Sequence, residues 1–248
     1  MQFEEILVTS TMDGSVEASH FAKSDLEGKR PLLVFLHTWS YDKDNQKKRL
    51  PYAEKRGFHL LLPEFRGSNT KKNPRANEAC GSILARTDIK DAIDYVVEHY
   101  EVDTDNIFIV GCSGGGHMAL LMAGFIPEYF RAVAAFVPIT NLVTWAEYSA
   151  HYGELVMHCC GTEDEALLRS PVSYIDNIAK ANVKVFAGRY DNVVPYRQTL
   201  DFYLALTEKY PDAKMYIDIF DGGHEYRESL ADEWLMSQYK KKCEEVTG

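Results

Sequence analysis

Ile107-Phe108-Ile109-Val110 runs directly into Gly111-Cys112-Ser113-Gly114-Gly115-Gly116 and then into His117-Met118-Ala119-Leu120-Leu121-Met122-Ala123. The first four residues read as a strand buried on both faces, and the apolar stretch from Met118 reads as a buried helix. Between them lies G-x-S-x-G, a turn so tight that its central residue takes a strained backbone conformation and projects its hydroxyl from the edge of a sheet. Small neighbours at 111 and 115 leave room for it. The N–H of Gly114 then lies at a helix N-terminus, where it can bind a developing oxyanion. A tight glycine turn capping a buried helix is the plainer reading; the strand and helix on either side favour Ser113 as a nucleophile.

The same kind of short apolar run recurs at residues 32–36, 58–62, 132–137, 183–187 and 215–220. Between these runs the period becomes helical. Ile89, Ile93, Val96, Val97 and Tyr100 share one face of a helix over 85–100, a second helix is expected over 196–210 before Pro211, and a third over 227–242. Alternating strand and helix signals imply a mainly parallel sheet with helices on both faces. The first twenty residues suggest an opening hairpin around Met12-Asp13-Gly14-Ser15, with Ile6, Val8, Val16 and Ala18 inward. In such sheets the active site lies beyond the carboxyl ends of the strands, so the residues just after each apolar run are the candidates.

A serine hydroxyl is a weak nucleophile and needs a histidine base, which in turn needs a carboxylate to fix its tautomer. His224 follows the last run in Asp221-Gly222-Gly223-His224, and Asp191 follows 183–187 in Gly188-Arg189-Tyr190-Asp191-Asn192-Val193-Val194-Pro195. The order Ser113, Asp191, His224 is that of a nucleophile-elbow hydrolase. Asp218 and Asp221 are rival acids, one inside a strand and the other too close to His224; Asp191 could also serve only an Asx turn before Pro195. His117, one helical turn beyond Ser113, either lines the pocket or packs, and packing is favoured. A second oxyanion donor is expected from His37-Thr38-Trp39-Ser40, the backbone N–H of Trp39 first and Thr38 as runner-up. The Trp39 indole would wall the pocket or plug the loop.

With these residues in view the chain resembles the α/β-hydrolase superfamily, and within it the catalytic domain of the prolyl oligopeptidase family and its small carbohydrate-esterase relatives. The resemblance spans roughly residues 31–227 and includes Pro63-Glu64-Phe65-Arg66-Gly67-Ser68, Asp88-Ile89-Lys90-Asp91-Ala92 and Arg169-Ser170-Pro171. It implies an α/β-hydrolase fold of the eight-stranded type, one domain over 1–248, with a cap-like insert at about 139–180. Thr stands after His37 where that family usually has Gly-Gly, and 248 residues leave little room for a propeller domain. Both departures weigh the expected substrate toward esters.

The insert shows weak strand periodicity and carries Trp145, Tyr148, Tyr152 and His158. Trp145 and Tyr148 are candidate substrate contacts, although aromatic residues at spacings of three and four more often form a helix's buried face. Arg66 and Arg189 could attract a carboxylate, and an arginine among acids is more often a structural ion pair.

Charge narrows the partners. With 27 Lys+Arg against 37 Asp+Glu the net charge is −10, and the short basic runs Lys47-Lys48-Arg49 and Lys240-Lys241-Lys242 sit among carboxylates, so nucleic acid is not an expected partner. No apolar stretch approaches the roughly 20 residues of a membrane span, and Met1-Gln2-Phe3-Glu4-Glu5 does not open a leader. A cytoplasmic protein is expected, or a secreted or periplasmic one if a leader preceded it. Five cysteines, 80, 112, 159, 160 and 243, lack metal-ligand spacing and read as reduced thiols. No metal and no cofactor is expected.

Three functions remain: a carboxylesterase deacylating sugar or small-alcohol esters, a peptidase of the resembling family acting on short peptides, and a non-catalytic binding relative. The first is favoured, and the third is disfavoured because no triad member is missing.

Overall fold

Eight strands form one sheet in the order β1-β2-β4-β3-β5-β6-β7-β8 in a computed structural model, which describes the backbone of residues 1–246 and the side chains of 1–239. β1 (Phe3–Thr9) and β2 (Val16–Ala22) make the antiparallel opening hairpin, and β2 also runs antiparallel to β4 (His59–Leu62). From β4 the pairing is parallel through β3 (Arg30–Leu36), β5 (Val102–Cys112), β6 (Ala132–Phe136), β7 (Val183–Gly188) and β8 (Met215–Phe220). The six apolar runs are these six parallel strands; helices cover both faces of the sheet and bury most of them, while the edge strand β8 leaves Tyr216 and Ile219 exposed.

The alternation within β3 shows how. Leu32, Val34 and Leu36 face a core closed by α2 (Ile83–His99), α3 (Gly114–Phe125) and α8 (Tyr196–Lys209), while Leu33 and Phe35 face a second core closed by α1 (Leu50–Arg56) and α9 (Glu228–Val246). Local chemistry sets the helix ends. Ser82 Oγ accepts from the Ala85 N–H to open α2, α1 stops at Gly57 with φ 65°, and α8 starts after Pro195. The helix expected over 227–242 is α9; Cys243 and the side chains of Lys240, Lys241 and Lys242 lie outside the described side chains.

Two expectations fail. Residues 139–180 are helical: α4 (Leu142–Ala146), α5 (Ala150–Cys160), α6 (Glu163–Leu168) and α7 (Ile175–Ile178). Asn141, Ser149 and Thr162 each cap the next helix with a side-chain oxygen. α4, α6 and α7 are one or two turns long, too short for a 3.6-residue period to show in the sequence. In β2 the inward residues are Glu17 and Ser19, not Val16, which is exposed, or Ala18, which is half-buried. Glu17 turns in because it meets Arg75 and Arg66.

Candidate active site

Ser113 occupies the single residue between β5 and α3, at φ 58° and ψ −121°. A residue with a β-carbon adopts that conformation at a cost of about 1–3 kcal/mol, so surrounding bonds must hold it. The Ser113 N–H donates to the Phe136 carbonyl at 2.8 Å and the Ser113 carbonyl accepts from His117 N–H at 2.9 Å. The glycines are steric requirements. A β-carbon on Gly111 would lie 2.0 Å from the Gly115 carbonyl oxygen, and one on Gly115 would lie 2.6 Å from that of Leu36.

His224 and Asp191 arrive on two interlaced loops beyond β8 and β7. Tyr190 N–H donates to the Gly222 carbonyl at 2.8 Å, and the loops approach so closely that a β-carbon on Gly188 would be 2.1 Å from the Gly223 oxygen. Asp191 is fully buried at its side chain and accepts through Oδ1 from the N–H groups of Val193 and Val194, at 2.8 and 2.9 Å. Its Oδ2 is left for His224 Nδ1 at 2.7 Å, and His224 Nε2 lies 2.8 Å from Ser113 Oγ. With the carboxylate accepting from Nδ1–H, the Nε2 lone pair faces the Ser113 hydroxyl. The arrangement can take the hydroxyl proton and stabilise the imidazolium so formed. Cys112, next to the nucleophile position, is not a competitor: burial pushes its thiol up to about 12, so it stays protonated.

Opposite Ser113 lies the loop after β3. The Gly114 N–H donates to Thr38 Oγ1 at 3.2 Å, and the Trp39 N–H has no acceptor among the described residues. Trp39 N would stand 2.7 Å from a β-carbon on Gly114, so the two backbone nitrogens belong to neighbouring parts of the site. Asn69 N–H donates to the Trp39 carbonyl at 2.6 Å, and Tyr41 N–H donates to that of Thr38 at 3.1 Å, which holds the loop in place. His37 is structural: Nε2 is 3.1 Å from Glu64, and the ring stacks on Phe65.

Ser113 and His224 open into a cavity of about 560 Å³ with two unlike walls. Trp39, Ile139, Trp145, Tyr152, Leu155 and Val193 form an apolar wall. Trp145 anchors it by donating Nε1–H to the Val193 carbonyl at 2.9 Å, stacking on Tyr152 and meeting the Trp39 indole edge-on. The other wall comes from the 3-10 turn at Lys43–Arg49, with Asn45, Gln46, Lys48 and Arg49. The Arg49 guanidinium lies 4.6 Å from the Phe35 ring centre and 4.2 Å from that of Tyr226; it also pairs with Glu228 at 3.8 Å, and Glu225 is a further lining residue.

Of the sequence-derived contacts, Trp39 and Trp145 line the cavity, whereas Arg66, His117, Tyr148 and Arg189 do not. Arg66 is 1% exposed and bonded to Asp88, Asp13, Glu78 and Ser10, an ion-pair centre behind the site. His117 is fully buried and bonded through Nε2 to the Arg169 carbonyl at 2.7 Å, so it packs α3 against the cap. Tyr148 and Arg189 point into solvent. The polar wall escaped sequence reading because Lys48 and Arg49 sit in a basic run indistinguishable from a solvated one. Val193 carried a signal in its place two residues after Asp191.

Residues 45–240 match the profile described as the Prolyl oligopeptidase family (Peptidase_S9). The acylamino-acid-releasing enzyme of Mus musculus is 28% identical over 166 residues, which cover 61% of this chain and 22% of the mouse protein. Feruloyl esterase B of Neurospora crassa is 32% identical over 96 residues, covering 38% of this chain and 33% of the esterase. Among solved structures, the Pyrococcus horikoshii acylaminoacyl peptidase superposes with a TM-score of 0.78 at 21% identity, over 98% of this chain and 41% of that one. The chain thus spans well under half the length of these relatives.

Proposed function

The chain belongs to the prolyl oligopeptidase family of serine hydrolases, and from that premise we propose that it is a peptidase cleaving short acylated peptides through an acyl-enzyme on Ser113. The observation that carries the reading is the hydrogen-bonded line Asp191, His224, Ser113 opening into a cavity with one apolar wall and one polar wall that includes Lys48 and Arg49. An apolar acyl or aminoacyl group fits against Trp39, Trp145 and Tyr152. A peptide leaving group, with amides and a terminal carboxylate, fits against Asn45, Gln46, Lys48 and Arg49. A small alcohol would leave that second wall unused.

The chemistry follows from the geometry. Ser113 Oγ attacks the carbonyl carbon as its proton passes to His224 Nε2, and the carbonyl oxygen gains charge beside the N–H groups of Gly114 and Trp39. Collapse breaks the C–N bond, and the amine leaves with the proton from His224. Water then attacks the acyl-enzyme with His224 again as base, restoring Ser113. Asp191 stays ionised throughout and holds the ring.

Peptides replace esters as the favoured substrates for two reasons. The missing Gly-Gly was one of two grounds for esters, yet with Thr at 38 the Trp39 nitrogen still lies beside Gly114. The mouse relative is named for releasing acylamino acids, and its match covers more of the chain than does the match to the feruloyl esterase. The test is parallel hydrolysis of acetyl-Phe-Ala as free acid and as amide, p-nitrophenyl acetate and a feruloylated xylo-oligosaccharide, with Ser113→Ala as the blank. Ser113-dependent cleavage of the free-acid peptide, exceeding that of its amide, is expected. Turnover of the esters alone would make the protein an esterase, and silence on all four would leave a binding protein.

A further inference from the structure

Thr38 brings a hydroxyl to a place where the acyl-enzyme chemistry as derived uses only backbone. Its Oγ1 accepts from the Gly114 N–H at 3.2 Å, and that N–H is the donor beside which negative charge develops. A hydroxyl has one proton besides its lone pairs. In Thr38 the lone pair is engaged by Gly114, while the proton has no acceptor among the described residues, and the side chain lines the catalytic cavity.

We propose that the Thr38 hydroxyl is a third oxyanion donor, which rests on the Gly114 N–H in the free enzyme and donates its own proton to the substrate oxygen as the tetrahedral intermediate forms. The inference rests on the Ser113 acyl-enzyme reading. The distances permit it. Two groups 3.2 Å apart can each lie about 2.9 Å from one further oxygen, an unstrained hydrogen-bond triangle. An oxygen there is within reach of Gly114 N–H and Thr38 O–H together, with the Trp39 nitrogen beside Gly114.

Substrate charge decides which bonds form. A neutral hydroxyl oxygen is a weaker acceptor than an oxyanion, so charge on the substrate oxygen draws the Gly114 N–H away from Thr38 and draws in the Thr38 proton. The proton stays on Thr38 throughout, and no covalent bond to Thr38 is made or broken. Because the interaction is stronger in the transition state than in the bound substrate, its loss lowers kcat more than it alters KM. The residue is held in position from two sides, since Tyr41 N–H fixes its carbonyl and β-branching restricts its rotamers.

The test compares wild type with Thr38→Val and Thr38→Ser on whichever substrate the protein turns over, together with inhibition by a peptidyl trifluoromethyl ketone. Thr38→Val, which keeps the shape and removes the hydroxyl, should lower kcat about 10²-fold, with KM within about threefold and the melting temperature unchanged. Inhibitor affinity should fall in proportion, and Thr38→Ser should recover most of the rate. A Val variant as fast as wild type or faster, while Ser113→Ala remains dead, would overturn the proposal and make the hydroxyl an occupant that substrate displaces. Loss of activity in both variants with a lowered melting temperature would also overturn it, as a packing effect. Turnover that survives Ser113→Ala would instead overturn the acyl-enzyme reading beneath it.

Discussion

The turn joining β5 to α3 and the insert between β6 and β7 face the same cavity and are built on opposite principles. At the turn every residue is dictated by steric contact at 2 to 3 Å: the glycines have no room for a β-carbon, and Ser113 is held at positive φ by bonds on both sides. In the insert, short capped helices lean on one another through Trp145, Leu142 and Val156, and their contacts are apolar and replaceable. The chemistry is thus set by geometry that tolerates one residue type, and the substrate wall by packing that tolerates many. Four measurements probe this contrast.

The largest effect belongs to the turn. Ser113→Ala should lower kcat about 10⁴-fold or more, His224→Ala nearly as much, and the double variant no further, because the residues act as one unit. Additive losses in steady-state kinetics would contradict that unity. Next comes Gly111→Ala, whose β-carbon would overlap the Gly115 carbonyl; it should cost more than about 3 kcal/mol in a denaturant titration. Tyr148→Ala in the insert should stay within about 0.5 kcal/mol.

The third prediction concerns His117, which ties α3 to the cap. Burial, with Arg86 and Arg169 nearby, lowers its pKa from 6.5 to about 4, and its Nδ1 has no partner to receive a buried proton. Between those values the unfolded chain binds a proton that the folded chain refuses, so stability is complete above pH 6.5 and falls toward pH 4. The whole loss is about 3 kcal/mol at 1.36 kcal/mol per pKa unit. Melting temperature against pH should slope across this window and slope less steeply in His117→Gln, burial of His59 lowering a second histidine in the same direction. The smallest effect is on the wall: Tyr152→Ala should raise KM about tenfold for a bulky apolar acyl group through lost stacking, with kcat nearly unchanged and an acetyl ester unaffected.

The same contrast explains what could be read from the chain. The six parallel strands and the positions of Ser113, Asp191 and His224 were legible because buried strands are continuous apolar runs and the residues just after them sit at the sheet's edge. Trp39 was legible for the same reason. The helices of the insert were not, since a helix of five or six residues leaves no period to detect and is announced only by a cap such as Asn141 or Thr162. For Arg66 the ion pair was the favoured reading and the substrate contact the lesser one, but its partners were not legible, since Asp13, Glu17, Glu78 and Asp88 converge on it from distant stretches of sequence. Lys48 and Arg49 were passed over because the stacking of Arg49 on Phe35 and Tyr226 is a tertiary fact.

The central claim is that one serine, activated by one histidine, carries the chemistry. Reaction with a fluorophosphonate, followed by intact mass and peptide mapping, tests it without assuming a substrate. One adduct per chain on Ser113, formed far more slowly in His224→Ala, is the predicted result. No adduct, or an adduct on another serine, would contradict it.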